Sequence, residues 1–239
     1  MTAPDRQAAC PCGSGKKYKS CCLAKDRSRA DLRASAVEGH AAIDDVLRVL
    51  LPLVESRGEH TIACKLGCFA CCNTLVRATY AEAEQIADFL DQPEHAEARA
   101  RFLQKLAGWR AGAGDSVANL DALLAAASGP GQSLVWEAFR NASQDYLRRG
   151  NLCPFNEAGA CEIYPVRPTP CRTTYVTGTA EYCTPDRGGE PSAVSAPQLH
   201  EAIASSSDRM AKAAARSGID PRRRALPEFV AERLAARRR

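Results

Sequence analysis

The chain has 239 residues, of which 45% are hydrophobic and only 6% aromatic, and its formal net charge is +4. No stretch approaches the roughly 18 apolar residues of a membrane span, and the first residues lack the apolar segment of a secretory signal. We therefore expect a cytoplasmic protein without a membrane span. A composition rich in Ala and Leu but poor in aromatic residues favours close-packed helices, and it predicts a mainly α fold.

The charge is distributed unevenly along the chain. Residues 1–33 contain eight basic and three acidic residues, and residues 209–239 contain ten basic and three acidic ones, so the segment between them is acidic. Basic ends suit an acidic partner. We expect contact with an acidic protein or a ribosomal partner through the N-terminal and C-terminal segments. The alternative is that these basic segments only increase the solubility of the protein and contact no partner.

The 12 cysteines fall into groups, and this grouping favours metal binding over disulfides. Thiols persist in the cytosol, and C-x-C and C-x-x-C spacings let two thiolates converge on one ion at about 2.3 Å. Metal ions are therefore the expected partners of the cysteines. The groups are Cys10, Cys12, Cys21 and Cys22; Cys64, Cys68, Cys71 and Cys72; and Cys153, Cys161, Cys171 and Cys183.

The first predicted element is a small zinc knuckle over residues 1–27. In the string C-P-C-G-S-G-K-K-Y-K-S-C-C two cysteines enter, a Gly-Ser-Gly turn reverses the chain, and two cysteines return after eight residues. Gly13 and Gly15 permit the positive φ values of such a turn, and the lysines that follow offset the charge of four thiolates around Zn²⁺. The spacing therefore predicts a tetrahedral Zn²⁺ site.

These residues resemble the SEC-C zinc-binding motif, which is found at the C-terminus of the SecA translocation ATPase. The resemblance implies Zn²⁺ at Cys10, Cys12, Cys21 and Cys22, and an exposed basic surface that contacts other proteins. A knuckle that only folds the N-terminus is the alternative role.

Helical patterns dominate from residue 28 to residue 150. A connecting helix is predicted over residues 28–58, kinked or ended near Pro52. Four further helices are predicted, beginning at the Thr79–Glu82 capping box, at Pro93, at Asp115 or Ser116, and at Ser133, with Gly150 ending the last.

Residues 152–197 contain seven prolines and should form long irregular loops rather than helices. A loop of this length needs cross-links to hold it in a compact domain, and the four cysteines within it would provide them by binding metal. Helical patterning resumes over residues 198–216. We group residues 59–218 as a cysteine-cluster domain. Residues 219–239 are predicted to form a mobile or loosely helical basic tail, in which Pro227 begins a final short helix that ends at residues 237–239.

The second and third cysteine groups resemble the YkgJ-type cysteine-cluster family, which is described as zinc- or iron-chelating. Its pattern is C-x-x-C-x-x-C-C followed by C-P-F, C-x-I-Y and R-P-x-x-C-R. One departure is the gap between Cys64 and Cys68, which has three intervening residues. The resemblance implies a metal or iron–sulfur centre built from Cys68, Cys71, Cys72, Cys153, Cys161 and Cys171, with Cys64 and Cys183 as additions.

Two arginines accompany the third cysteine group, and each has two interpretations. Arg167 and Arg172 could raise the reduction potential of a thiolate centre or hold an anion there. Alternatively, they neutralise charge and bond to backbone carbonyls of the proline-rich loop. Up to eight thiolates exceed the four that one structural zinc needs, which favours an iron–sulfur or polynuclear centre slightly over one zinc.

The predicted function is metal binding, with Zn²⁺ at the knuckle and zinc or iron in the central domain. No catalytic constellation is recognisable in the sequence. Two alternatives stay open. One is an iron–sulfur enzyme for methyl transfer or redox chemistry, because a flagellin lysine N-methylase shares the cysteine pattern. The other is a zinc-stabilised adaptor that docks on a ribosome or a translocation partner.

Overall fold

A computed structural model describes residues 4–56, 61–64, 67–126, 132–179, 183 and 192–237. Helices dominate it, so the prediction of a mainly α fold is confirmed. The α-helices are α1 (Leu23–Ser56), α2 (Tyr80–Leu90), α3 (Ala96–Ala126), α4 (Gln132–Arg148), α5 (Thr169–Thr173), α6 (Pro197–Arg216) and α7 (Leu226–Arg237). None of the described helices combines the length and apolar character needed to cross a membrane.

Short antiparallel strand pairs lie between the helices. The strands are β1 (Arg77–Ala78), β2 (Asn156–Glu157), β3 (Ala160–Cys161), β4 (Val176–Thr177), β5 (Ser192–Ala193) and β6 (Arg224–Ala225). Strand β1 pairs with β6, β2 with β3, and β4 with β5. The β1–β6 pair joins the C-terminal segment to the residues before α2, whereas β2–β3 and β4–β5 are local pairs within residues 156–193.

Helix α1 is the longest element and packs along α6 and α2. Its buried side chains Leu32, Ala36, Ile43 and Leu47 recur at helical spacing. Pro52 lies inside the helix, which continues to Ser56, so the helix does not end at Pro52. The predicted boundary of this helix at residues 58 and 59 lies outside the described residues.

Helix α2 begins as predicted, at a complete capping box. The Thr79 side chain accepts a hydrogen bond from the Glu82 backbone N–H at 3.2 Å, and the Glu82 carboxylate accepts one from the Thr79 backbone N–H at 2.7 Å. Most of α2 is buried, because α1 and α7 cover it. This helix is therefore the centre of the molecule.

Helix α3 corrects the prediction of a separate helix beginning at Asp115 or Ser116. One helix runs from Ala96 to Ala126. Phe102, Trp109 and Leu120 are buried along a single face of it, and this continuous packing surface favours an unbroken helix over a new start. Gly150, with φ of +64°, follows α4 as predicted.

The largest hydrophobic core joins the helices to the cysteine loops. The rings of Phe102 on α3 and Phe155 after Cys153 stack with centroids 4.2 Å apart. The Trp109 indole N–H donates a 2.6 Å hydrogen bond to the Tyr146 hydroxyl of α4. Since Phe155 is buried beside these helices, the loop that contains Cys153 has a fixed position on the core.

The C-terminal segment is part of this core. Its final helix forms as predicted, but the prediction that this segment is loosely attached is wrong for residues 226–237. Helix α7 buries Leu226, Phe229, Val230 and Leu234, whose spacing places them on one face. The Arg237 guanidinium forms ion pairs with Glu84, Asp88 and Asp91, so its charge is satisfied within the molecule. Arg238 and Arg239 lie outside the described residues.

Candidate metal centres

The knuckle is a tight reversal of the chain that ends at the first turn of α1. A bridge between Ala9 and Lys17 closes the reversal, and the Cys10 backbone N–H donates to the Lys16 carbonyl at 2.8 Å. Gly13 and Gly15 have φ values of +76° and +70°, in the left-handed region that glycine favours. The turn returns the chain so that the second cysteine pair lies beside the first.

The four knuckle sulfurs all lie within 4.8 Å of one another. The Sγ–Sγ distances are 3.4 Å for Cys10–Cys12, 3.5 Å for Cys12–Cys21 and 3.9 Å for Cys21–Cys22. A tetrahedral ion with sulfur ligands at about 2.3 Å would space those sulfurs about 3.8 Å apart. The four cysteines therefore fit one tetrahedral metal ion.

The electrostatics of the knuckle thiols show how a metal would bind. Hydrogen bonds from the Ser14 side chain and backbone lower the pKa of Cys12 from 9.0 to about 6. Hydrogen bonds with Cys10 and Cys12 raise the pKa of Cys22 to about 12. Crowded thiols resist losing all their protons together, whereas a cation binds the thiolate forms and displaces those protons.

Tyr18 anchors the knuckle to α1, and sequence analysis missed this role. Its ring is buried, and its hydroxyl donates a 2.7 Å hydrogen bond to the Asp26 carboxylate. That hydrogen bond is the main reason why the pKa of Tyr18 is raised to about 12. A tyrosine eight residues before an acidic residue is too weak a signal to have predicted the contact.

The second and third cysteine groups converge on one cavity of about 130 Å³. Its lining also includes Arg167, Tyr164 and Tyr175. The seven cysteines that line it are Cys64, Cys68, Cys71, Cys72, Cys153, Cys161 and Cys171. The fold thus brings together thiols that the sequence separates by helices α2, α3 and α4.

Backbone contacts hold the two sides of this central cavity together. The Cys153 backbone N–H donates to the Cys72 carbonyl at 2.8 Å. The Asn156 side-chain amide lies 3.6 Å from the Cys72 sulfur, and the Val176 backbone N–H donates to the Cys64 sulfur at 3.4 Å. Amide donors of this kind stabilise thiolate charge. Two sulfurs of the second cysteine group therefore accept amide donors that come from the segment containing the third group.

Burial makes the central thiols difficult to ionise. It raises the pKa of Cys153 to about 12 and raises the pKa of Cys161 and Cys171 as well. For Cys71, a hydrogen bond with Cys72 and then burial raise the pKa, while the positive charge of Arg167 counteracts them. A bound cation would compensate for the burial of these thiolates.

The central cavity differs from the knuckle in the spacing of its sulfurs. Within the described ranges, the knuckle cysteines are the one group of three or more potential ligands whose donor atoms all lie within 4.8 Å. The central cysteines therefore line a cavity without forming a compact tetrahedral set. Whether they bind a shared metal stays a prediction.

Cys183 lies beside the cavity rather than in its lining. Burial raises its pKa, and the thiols of Cys64, Cys68 and Cys71 raise it further. Cys183 is half-buried, and the residues on both sides of it lie outside the described ranges. Its role as an additional ligand stays a prediction.

The two arginines have different surroundings. Arg172 is 4% exposed, forms a 2.6 Å ion pair with Asp44 on α1, and donates to the carbonyls of Pro165 and Arg167. Arg167 lines the cavity, and its guanidinium lies 3.8 Å above the Tyr164 ring. No described carboxylate lies within 4.0 Å of Arg167. Arg172 thus fastens the loop to α1, and Arg167 presents a positive charge to the thiols.

A buried carboxylate near Cys171 was also missed by sequence analysis, which recognised Glu82 only as a helix cap. Glu82 is fully buried, and His40 Nε2 lies 3.3 Å from its carboxylate. Burial alone would raise the pKa of Glu82. The hydrogen bond with His40, the charge of Arg223 and smaller contributions from other contacts outweigh burial and lower the pKa to about 2. A buried, charged Glu82 therefore lies at the junction of α1, α2 and the cysteine loop.

Taken together, the helical fold and the four clustered sulfurs define a metal-binding protein of mainly α structure. The family model of the SEC-C motif matches residues 8–24. This match covers the knuckle and the start of α1. No curated protein and no solved structure matches the chain.

Proposed function

We propose that this protein binds metal at two cysteine centres. Zn²⁺ is held at the knuckle by Cys10, Cys12, Cys21 and Cys22. Zinc or iron, in an iron–sulfur or polynuclear centre, is held in the central cavity. The observation that carries the proposal is the near-tetrahedral spacing of the four knuckle sulfurs, at the residues where the SEC-C motif matches.

At the knuckle, Zn²⁺ would have a structural role. Four cysteine ligands complete a tetrahedral shell and leave no position for a substrate. Because Cys21 and Cys22 directly precede α1, the metal would tie the N-terminal turn to the start of that helix. Binding of zinc would therefore contribute directly to the folding of residues 8–24.

In the central cavity, the ligands of the proposed centre come from both sides. Cys68, Cys71 and Cys72 lie on one side, and Cys153, Cys161 and Cys171 on the other, with Cys64 and Cys183 as additional ligands. A metal centre there would cross-link chain segments that helices α2 to α4 separate. The guanidinium of Arg167 would offset part of its negative charge, which favours a higher reduction potential if the centre contains iron.

Metal analysis of paired variants tests the two-centre proposal. The full chain is purified anaerobically as wild type, as Cys12→Ser/Cys21→Ser, and as Cys71→Ser/Cys171→Ser. We expect the first variant to lose one zinc and keep the central metal, and the second to keep the zinc and lose the central metal. A wild-type protein without metal, or a variant pair that loses the same metal, would contradict the proposal.

The visible spectrum distinguishes the identities of the central metal. A brown protein that absorbs near about 400 nm, contains sulfide and bleaches with dithionite would contain an iron–sulfur centre. A colourless protein with two or more zinc ions would be a structural zinc protein. The alternative function, redox or methyl-transfer chemistry, requires the first of these results.

An adaptor function is the second candidate, and an exposed basic surface on the knuckle favours it. Lys16, Lys17 and Lys19 are all exposed there. The C-terminal arginines give it less support, because Arg224 and Arg237 form ion pairs within the molecule. Replacing the three lysines with glutamine should weaken capture of an acidic or ribosomal partner, and rising salt should weaken it further. Capture that is insensitive to both changes would exclude this function.

A further inference from the structure

A cleft of about 910 Å³ lies between the knuckle, the first turns of α1 and the end of α7. Among the residues that the structure describes, four basic and two acidic side chains line the cleft. The basic residues are Lys25, Arg29, Arg233 and Arg237, and the acidic ones are Asp26 and Glu232. The volume is within the range of roughly 300–1,000 Å³ that is typical of small-molecule sites.

The two acidic residues already have donors. Asp26 accepts the hydrogen bond of the Tyr18 hydroxyl at 2.7 Å, and Glu232 accepts one from Arg224 at 2.6 Å. Glu232 is therefore paired with a cation that does not line the cleft, whereas Asp26 keeps its charge and bonds to a neutral hydroxyl. The lining has an excess of positive charge.

Arg233 is the most conspicuous of these cations, because the described residues provide no hydrogen-bond acceptor for it. Its side chain is only 12% exposed, and its nearest carboxylate oxygen, on Glu232, is 3.6 Å away. Its Nε is buried without a partner, and its guanidinium lies 4.4 Å above the Tyr80 ring. A nearly buried guanidinium without acceptors is costly to maintain.

The neighbouring arginines increase this cost. Burial lowers the pKa of Arg233, and the positive charges of Arg29 and Arg237 lower it further. Among the described residues, Arg237 has three carboxylate partners, while Arg29 has one, Glu84, at 3.8 Å. An anion in the cleft would therefore interact with Lys25, Arg29 and Arg233 rather than with Arg237.

We propose that this cleft binds a small phosphate-bearing molecule, whose oxyanion is held by Lys25, Arg29 and Arg233. Phosphate oxygens match the planar fork of guanidinium donors and would supply the acceptors that Arg233 lacks. The side chains of Cys12, Cys21 and Cys22 line the same cleft, so an alternative is that the basic residues only balance the charge of the metal-loaded knuckle. An anion site predicts saturable binding that depends on these basic residues. Charge balance alone predicts that replacing them lowers zinc retention without affecting anion binding.

Calorimetric titration of the zinc-loaded full chain with inorganic pyrophosphate, at constant ionic strength, tests the proposal. We expect saturable binding at one site per chain. Arg233→Gln and Lys25→Gln should each weaken it by about tenfold or more, in line with the loss of one charge-assisted hydrogen bond. Arg216→Gln, which removes an exposed arginine at the end of α6, is the matched control and should bind as wild type does.

Zinc content and thermal unfolding are measured on the same samples. Zinc content should stay unchanged in the Arg233→Gln and Lys25→Gln variants. If the Arg233→Gln variant does not fold, the pyrophosphate affinity of Lys25→Gln tests the proposal, because Lys25 is exposed and its replacement should not affect folding. The proposal is overturned by absence of saturable binding, by equal weakening in Arg216→Gln, or by variants that lose zinc while pyrophosphate affinity is unchanged.

Discussion

The carboxylate of Glu82 on α2 accepts a 2.7 Å hydrogen bond from the backbone N–H of Thr169, the first residue of α5. Cys171 lies two residues further along the same short helix. Glu82 also bonds to Thr79, and His40 and Arg223 lie within 3.5 Å of it. One buried carboxylate thus fixes the start of α2, the position of α1 and the loop that contains Cys171.

Replacing Glu82 with Gln should destabilise the fold by about 3 kcal/mol. The amide is uncharged, and its NH₂ group would face N–H donors that now bond to a carboxylate oxygen. Urea unfolding followed by circular dichroism measures the change. Glu97→Gln is the control, since the Glu97 side chain is 89% exposed and its ion pair with Arg101 should contribute little. A Glu82→Gln variant as stable as this control would contradict the role assigned to the carboxylate.

The same residue predicts a pH dependence. The pKa of Glu82 is about 2 in the folded protein and 4.5 as the ordinary value, so the folded state favours the ionised form. Its contribution to stability should be fully present above pH 4.5 and lost as the pH falls toward 2. The free-energy difference between wild type and Glu82→Gln should therefore narrow over this interval. Equal differences at pH 6 and pH 3, measured with the same metal content, would exclude the effect.

Arg167 and Arg172 should respond differently to substitution. Arg172→Leu should destabilise the fold by about 3 kcal/mol, because it leaves Asp44 and two loop carbonyls without their buried donor. Arg167→Gln should change stability by less than about 1 kcal/mol and instead alter the central metal, as a shifted reduction potential or a lower metal content. Thermal unfolding and metal analysis of both variants test this. The reverse assignment of effects would show that Arg167 is the structural residue.

Leu234→Ala should destabilise the protein by about 2–5 kcal/mol, because Leu234 is 1% exposed in the largest core. Leu53→Ala on α1 is a suitable control, since Leu53 is 50% exposed and should tolerate the change. Chemical unfolding of the two variants makes the comparison. A negligible effect of Leu234→Ala would mean that α7 does not pack on the core in solution.

Two glycines should respond to alanine with opposite signs. A Cβ at Gly39 on α1 would overlap the Ser206 hydroxyl and lie 3.1 Å from the Ser206 Cβ, so Gly39→Ala should cost about 1–3 kcal/mol. A Cβ at Gly108 on α3 meets nothing within 4 Å, and Gly108→Ala should stabilise the helix by about 0.5–1 kcal/mol. Melting temperatures that move in the same direction would contradict the close approach of α1 and α6.

The sequence predicted best those features that depend on neighbours along the chain. The Thr79–Glu82 capping box needs only four consecutive residues, and the knuckle turn needs only the glycines and lysines between its cysteines. The single helix α3 and the buried helix α7 depend instead on packing against other elements. A run of arginines around Leu226 to Leu234 suggests a solvated tail until α2 is known to provide both an apolar surface and the carboxylates Glu84, Asp88 and Asp91.

The candidate site divides in the same way. The knuckle cysteines are close in sequence, so their spacing restricts the geometry directly. The central cysteines meet only because the proline-rich loop returns to the second group, and a cysteine pattern cannot give the distances between sulfurs that such a return produces. Arg167 and Arg172 are similar in sequence context, and only the positions of Asp44 and Tyr164 distinguish them.

The residues that line the cleft beside the knuckle are synthesised at different times. The ribosome adds Lys25 and Arg29 early and residues 232–237 about two hundred positions later. A nascent chain can therefore present the four knuckle cysteines to metal before α7 has been synthesised. The cleft forms only when α7 packs beside the knuckle, so a ligand of the cleft would recognise only chains in which these two distant segments have already come together.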